Sequence, residues 1–188
     1  MDNQIFLYAI PLVVIYVWYA SLIGKRNKAK EALSSVDVQL KQRANLIPNI
    51  LTIAKKFITH EKKLLTDITE LRAKATAGYD NTNKQQIQEH LKASEMLGGK
   101  MGELMIAVEN YPDLKSDQTM LQAMQTYNEV EAQISAARRF YNAAVTSLNN
   151  AVQIFPGNLI AKLANVGEMP FYEATEADKA PINAADIL

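Results

Sequence analysis

The chain opens on an unbroken apolar run and then settles into a helical rhythm. From Ile5 to Ile23 no residue is charged. After a short basic stretch, apolar positions recur in alternating steps of three and four. Leu33, Val36, Leu40, Ile47, Ile50, Ala54, Phe57, Leu64, Ile68, Leu71 and Ala75 fall on one face, which predicts a first body helix about six heptads long. Lys55, Lys56, Lys62 and Lys63 lie on its opposite, solvated face, and Pro48 inside the run predicts a kink. The turn-rich GYDNTN at 78–83 ends that helix. Ile87, Leu91, Ser94, Leu97, Met101, Leu104 and Val108 mark a second helix, stopped by Tyr111-Pro112-Asp113. A third, capped by Ser116 or Asp117, carries Met120, Met124, Tyr127, Glu131, Ile134, Arg138, Tyr141, Val145, Leu148, Val152 and Phe155 on its seam. Pro156-Gly157 closes it, a short helix at 158–166 follows, and residues 168–188 read as an extended or disordered tail.

The apolar run is long enough to matter by itself. Its nineteen residues, at about 1.5 Å each, reach roughly 28 Å, close to the roughly 30 Å of a bilayer's hydrocarbon core. Phe6 and Tyr8 stand near one end, and Tyr16, Trp18 and Tyr19 near the other, where amphipathic rings favour a membrane interface. Lys25, Arg26, Lys28 and Lys30 follow with no acidic residue among them, and the positive-inside rule holds such a collar in the cytoplasm. The expected organisation is a transmembrane anchor at 5–23, a basic collar at 24–30, a helical bundle at 31–167 and the tail. A cleaved signal peptide fits less well, because the amino end lacks a basic region and a clear A-x-A site. A buried core helix would need a polar stripe that the run does not have. The expected fold class is therefore all-α: a single N-terminal transmembrane helix continuing into a long antiparallel three- to four-helix bundle.

Charge and chemistry narrow the function. Basic and acidic residues balance at 20 each, yet from residue 31 onward sixteen basic residues face nineteen acidic ones, which gives nucleic-acid binding no support. With no cysteine, no disulfide or thiolate site exists. His60-Glu61 is not an H-E-x-x-H zinc site, because position 64 is Leu. The run LGGKMGE at 97–103 lacks phosphate-loop spacing and sits in a helical pattern, so its glycines read as close-packing positions. No nucleophile turn accompanies any histidine, so neither an enzyme nor a cofactor, metal or small-molecule substrate is expected. The informative residues are charges on the apolar seams: Arg43 and Glu61 in the first helix, Glu131 and Arg138 in the third. With those two helices parallel in an up-down-up bundle, Arg43 is placed to face Glu131, or Glu61 to face Arg138. Such residues either pack their stems while reaching solvent or form a buried pair that fixes register.

Several stretches together resemble one family: VDVQLKQRANLIPNIL at 36–51, His60-Glu61, YPDLK at 111–115, EAQISAARRFYNAAVTSLNNAVQIFPGNLIA at 131–161 and Phe-Tyr-Glu at 171–173. These are similar to the LemA family of bacterial membrane proteins. Arg43, Pro48, His60, Glu61, Glu131, Arg138, Arg139, Tyr141, Asn142 and Pro156 match its motif. The resemblance implies a single amino-terminal membrane segment and a long antiparallel helical bundle in a bacterial envelope; the basic collar then orients it in the cytoplasmic membrane with the amino end outside and the bundle in the cytoplasm. It implies no established activity. The expected function is a membrane-anchored scaffold that self-associates as a homo-oligomer, contacts the lipid bilayer and recruits a membrane protein partner. The alternative is an accessory subunit or adaptor of an envelope protease or quality-control system.

Overall fold

A computed structural model describes residues 2–58 and 60–173, with side chains from Ile10 onward. All its regular elements are helices: α1 (Asp2–Ala54), α2 (Lys62–Ala75), α3 (Lys84–Val108), α4 (Pro112–Lys115), α5 (Gln118–Gln153) and α6 (Gly157–Leu163). The all-helical expectation holds among the described residues. α1 runs through Pro48 as one helix of 53 residues, roughly 80 Å long. Sequence-local side-chain caps start α3 and α5. Asn83 accepts from the amides of Gln85 and Gln86 at 3.0 and 3.2 Å, and Asp117 accepts from Met120 N at 2.9 Å.

The long first body helix is broken where the rhythm predicts continuity. After Ala54 the chain tightens: the Ala54 carbonyl accepts from both Phe57 N and Ile58 N, at 3.0 and 2.9 Å. Ile58 turns inward, 4 % exposed, and α2 folds back along α1. The reversal lets Leu65, Ile68 and Ala75 bury against α3, where a straight helix would carry them past the end of the bundle. It also adds one reversal to the topology. α1 and α5 are thus antiparallel, not parallel as an up-down-up arrangement requires: Leu22 lies beside Asn150, Arg43 beside Glu131, and Ile53 beside Thr119.

A second correction concerns the membrane. Among the described residues no helix is long and apolar enough to cross one. This overturns the single-pass placement in the cytoplasmic membrane, with the amino end out and the bundle in the cytoplasm. The side chains of residues 5–9, including Phe6 and Tyr8, lie outside the described residues, as do residues 174–188 of the tail.

The core divides into two clusters. The first joins Leu22 to Leu40 of α1 with Ile87, Leu91, Val130 to Leu148, and Ile160 to Tyr172; the second joins Ile47 to Ile58 with α2, Leu97 to Val108, Leu114, Met120 and Tyr127. Where α2 and α3 do not reach, α6 and the chain after it close the first cluster. α6 ends in a Schellman motif: Val166 N donates to Ala161 O at 2.9 Å, and Asn165 takes a left-handed φ of 51°. That turn launches residues 167–173 as an extended strap along the bundle.

Candidate functional site

Between the two apolar clusters lies a polar layer, and its centre is Arg43. Position 43 falls on the seam of α1 between Leu40 and Ile47, so the helix directs a guanidinium into the interior, where it is 3 % exposed. Nη1 donates to Glu131 Oε1 of α5 at 3.0 Å, and Nη2 donates to the Ser94 carbonyl of α3. Gly98, one turn after Ser94, makes room: a Cβ there would meet Nη1 at 2.8 Å. Burial opposes the charge on Arg43, but the field of Glu131 and its hydrogen bond outweigh that opposition and raise the guanidinium above its ordinary pKa. Tyr127, one turn before Glu131, faces the same pair. Its phenol is raised above the ordinary range, first by burial and then by the Glu131 carboxylate.

The layer continues outward along α3 and α5 to the strap. Arg138 lies with Nη1 3.8 Å from Glu95 Oε1 and its guanidinium 5.7 Å from the centroid of the Tyr172 ring. The Tyr172 phenol, raised by burial and by hydrogen bonding to Glu95, closes this arrangement. The strap is held through its backbone. Asn142 donates to Tyr172 O and accepts from Tyr172 N, both at 2.9 Å; Asn149 makes the same pair of bonds with Met169, both at 3.0 Å. Tyr141 Oη donates to Pro170 O at 2.7 Å. The spacing explains the fit: seven residues of helix advance about 10.5 Å, and three residues of extended chain about 9 Å. Glu168, bonded to Gln153 at 2.8 Å and Lys84 at 3.2 Å, pins the start of the strap, and these hydrogen bonds lower its pKa.

A third polar group joins α1, α3 and the turn between α2 and α3. Tyr79 Oη donates to Asp37 Oδ2 at 2.7 Å, while His90 Nε2 lies 3.2 Å from Asp37 Oδ1. The Tyr79 and His90 rings stack with centroids 4.2 Å apart. The Tyr79 phenol is held neutral well above its ordinary range, by burial first and then by Asp37.

The residues singled out in the sequence do not all meet at one place. Arg43, Glu131, Arg138, Tyr141 and Asn142 converge on the polar layer and strap. Pro48 is half-buried within α1, and its carbonyl accepts from Thr52 at 2.7 Å. Glu61 lies in another layer, at the start of α2, where it accepts from Tyr111 Oη at 2.7 Å; it does not face Arg138. His60 is exposed beside it, and Arg139 is exposed on α5, donating to Ser135 at 3.1 Å. Tyr16, Trp18 and Tyr19 lie exposed on the amino-terminal arm, followed by Lys25, Arg26, Lys28 and Lys30, with Lys28 Nζ 6.0 Å from the Phe140 ring centroid. Sequence reasoning missed Asn149, Tyr172, Asp37 and Tyr79. Asn149 sits seven residues after Asn142, and that repeat was the available signal. Among the described residues no group of three His, Asp or Glu is placed to hold a metal ion.

An antiparallel helical bundle, split by an arginine-centred polar layer and closed by its own carboxy-terminal strap, is a helical structural domain. Within that class the chain belongs to the LemA family, whose model matches residues 32–184. It is similar to Protein LemA of Metamycoplasma hominis, 22 % identical over 184 residues that cover 94 % of this chain and 81 % of the relative. It is also similar to magnetosome proteins. MamQ 2 of Paramagnetospirillum magneticum is 21 % identical and MamQ of Magnetospirillum gryphiswaldense 20 %, each over 191 residues that cover 91 % of this chain and 70 % of the relative.

Proposed function

We propose that this chain is a membrane-associated helical scaffold that joins copies of itself and acts through its surfaces rather than by catalysis. The observation that carries the reading is the amino-terminal arm of α1. Ile10, Leu12, Val13, Val14, Ile15, Tyr16 and Val17 are each at least 49 % exposed, on all sides of a helix continuous with the bundle. A contiguous apolar surface of this kind marks an association site. Lipid association at a surface does not require a spanning helix. The polar layer and the strap fit the same reading, because they fix register and leave a rigid body behind the arm. The likeness to proteins named for the magnetosome favours a part in a larger assembly.

Val13→Asp together with Val17→Asp tests the reading. Purified wild-type chain in mild detergent is expected to give a concentration-dependent oligomer by light scattering and to float with lipid vesicles. The double variant is expected to run as a monomer with unchanged helical content. A monomeric wild type at every concentration would sink the scaffold reading.

A further inference from the structure

The end of the bundle from which the arm projects has a second apolar surface, one the arm does not account for. Ile154, Phe155, Leu159 and Leu163 at the corner between α5 and α6 are 61, 73, 53 and 88 % exposed. Leu159 and Leu163 share the outer face of α6, while Ile160 and Ala161 enter the core. The corner is set firmly in place. Gly157 packs so closely on the last turns of α5 that a Cβ would meet Ala151 O at 2.2 Å. Ile154 and Gly157 border a groove of about 350 Å³ whose other wall is Trp18, Leu22 and Lys25 of α1. The corner therefore stands at the base of the arm, level with the basic collar.

Charge decides what fits there. No acidic residue occurs between Asp2 and Glu31, or between Glu131 and Glu168, and these two stretches supply the α1 and α5–α6 walls of this end; Glu168, beside the last turn of α5, is already bonded to Gln153 and Lys84. The two stretches place Lys25, in the groove beside Ile154, and Lys162, on α6, with the exposed apolar corner. A second copy docking this face on its equal would oppose cation to cation, which disfavours self-pairing. An anionic lipid surface supplies both complements at once: headgroups for the cations and an acyl boundary for the apolar side chains.

We infer that the α5–α6 corner is a docking face for an anionic lipid surface, seating Phe155, Leu159 and Leu163 at the headgroup boundary while Lys25 and Lys162 meet the lipid phosphates. The inference rests on the membrane-associated reading above and adds a second contact beside the arm, so that the bundle is oriented on the surface instead of swinging from a tether.

The absence of native cysteine allows one label per chain. Leu163→Cys, Tyr16→Cys and Ile106→Cys, the last 71 % exposed near the far end of α3, each carry an environment-sensitive fluorophore on the full-length protein. Vesicles are phosphatidylcholine with or without phosphatidylglycerol, containing brominated acyl chains as quenchers. The label at 163 is expected to shift blue and be quenched on phosphatidylglycerol vesicles, and the label at 106 to remain unchanged. Lys25→Gln and Lys162→Gln should each weaken binding to those vesicles roughly fivefold. Quenching at 16 without quenching at 163 would overturn the docking face and leave membrane association standing. No quenching at any position would overturn both. Loss of the wild-type oligomer on Leu163→Asp with the arm intact, in the absence of vesicles, would assign the corner to self-association and overturn the lipid face.

Discussion

Arg43 retains its charge in the interior because α3 and α5 both bend their chemistry to it: a carboxylate from Glu131, a carbonyl from Ser94, and the missing side chain of Gly98. Removing one partner strands the other. Glu131→Ala is expected to cost about 3 kcal/mol, at the lower end for a buried pair because Glu131 is 35 % exposed on its side chain. The double change Arg43→Met with Glu131→Leu should recover most of that loss, and urea denaturation of the two single and one double variants measures the coupling. Gly98→Ala is expected to destabilise by about 1–3 kcal/mol by the same measurement, because the guanidinium has polar partners on both sides and little room to retreat. The seam positions of Arg43 and Glu131 were legible in the spacing of their own helices. Their cradle was legible only in part: Ser94 read as a seam residue and Gly98 as a close-packing position, but what they pack against depends on the register of α3 against α1, of which periodicity says nothing.

The elements were legible in kind and less so in extent. Strong apolar periodicity with local caps placed α3 and α5 almost residue by residue, because both signals are local. The break at 55–61 escaped, since Phe57, Leu64 and Ile68 keep the helical rhythm across it and no Gly or Pro interrupts the chain there. The strap escaped for the opposite reason: an extended segment held by side chains of a distant helix has no periodicity of its own. Its contacts make a sharp prediction. Asn142→Ala and Asn149→Ala each leave a backbone donor and acceptor of the strap unpaired, at a cost of about 1–3 kcal/mol. Hydrogen exchange should show faster exchange of the Tyr172 and Met169 amides respectively, with the amides of α3 and α5 unchanged. Uniform loss of protection along α5 would show instead that the asparagines hold the helix and not the strap.

The molecule's two apolar clusters meet at a charged layer, and the Tyr127, Tyr141 and Tyr172 phenols are buried around it. Burial raises Tyr79, Tyr127, Tyr141 and Tyr172, so the folded state keeps them protonated where the unfolded chain would ionise. Their contribution is complete below the ordinary tyrosine value of about 10 and is lost as pH rises beyond it toward the raised folded values. Thermal unfolding should therefore show a melting temperature that is flat with pH near neutrality and falls steeply above about pH 10. A tyrosine-to-phenylalanine change at Tyr127 should blunt that fall. By itself the sequence determined the all-helical class, the seams, most helix ends and the family, because all of these are carried by local spacing and by matching residues along the chain. The tertiary structure decided the reversal after Ala54, the antiparallel pairing of α1 with α5, the partner of Arg43 and the docking of the strap. It also changed the reading of the amino-terminal run, of which Ile10 to Val17 stand exposed as an apolar arm while Leu22 enters the core. Each of these depends on which faces of distant segments meet, and a one-dimensional pattern leaves several such meetings equally well satisfied.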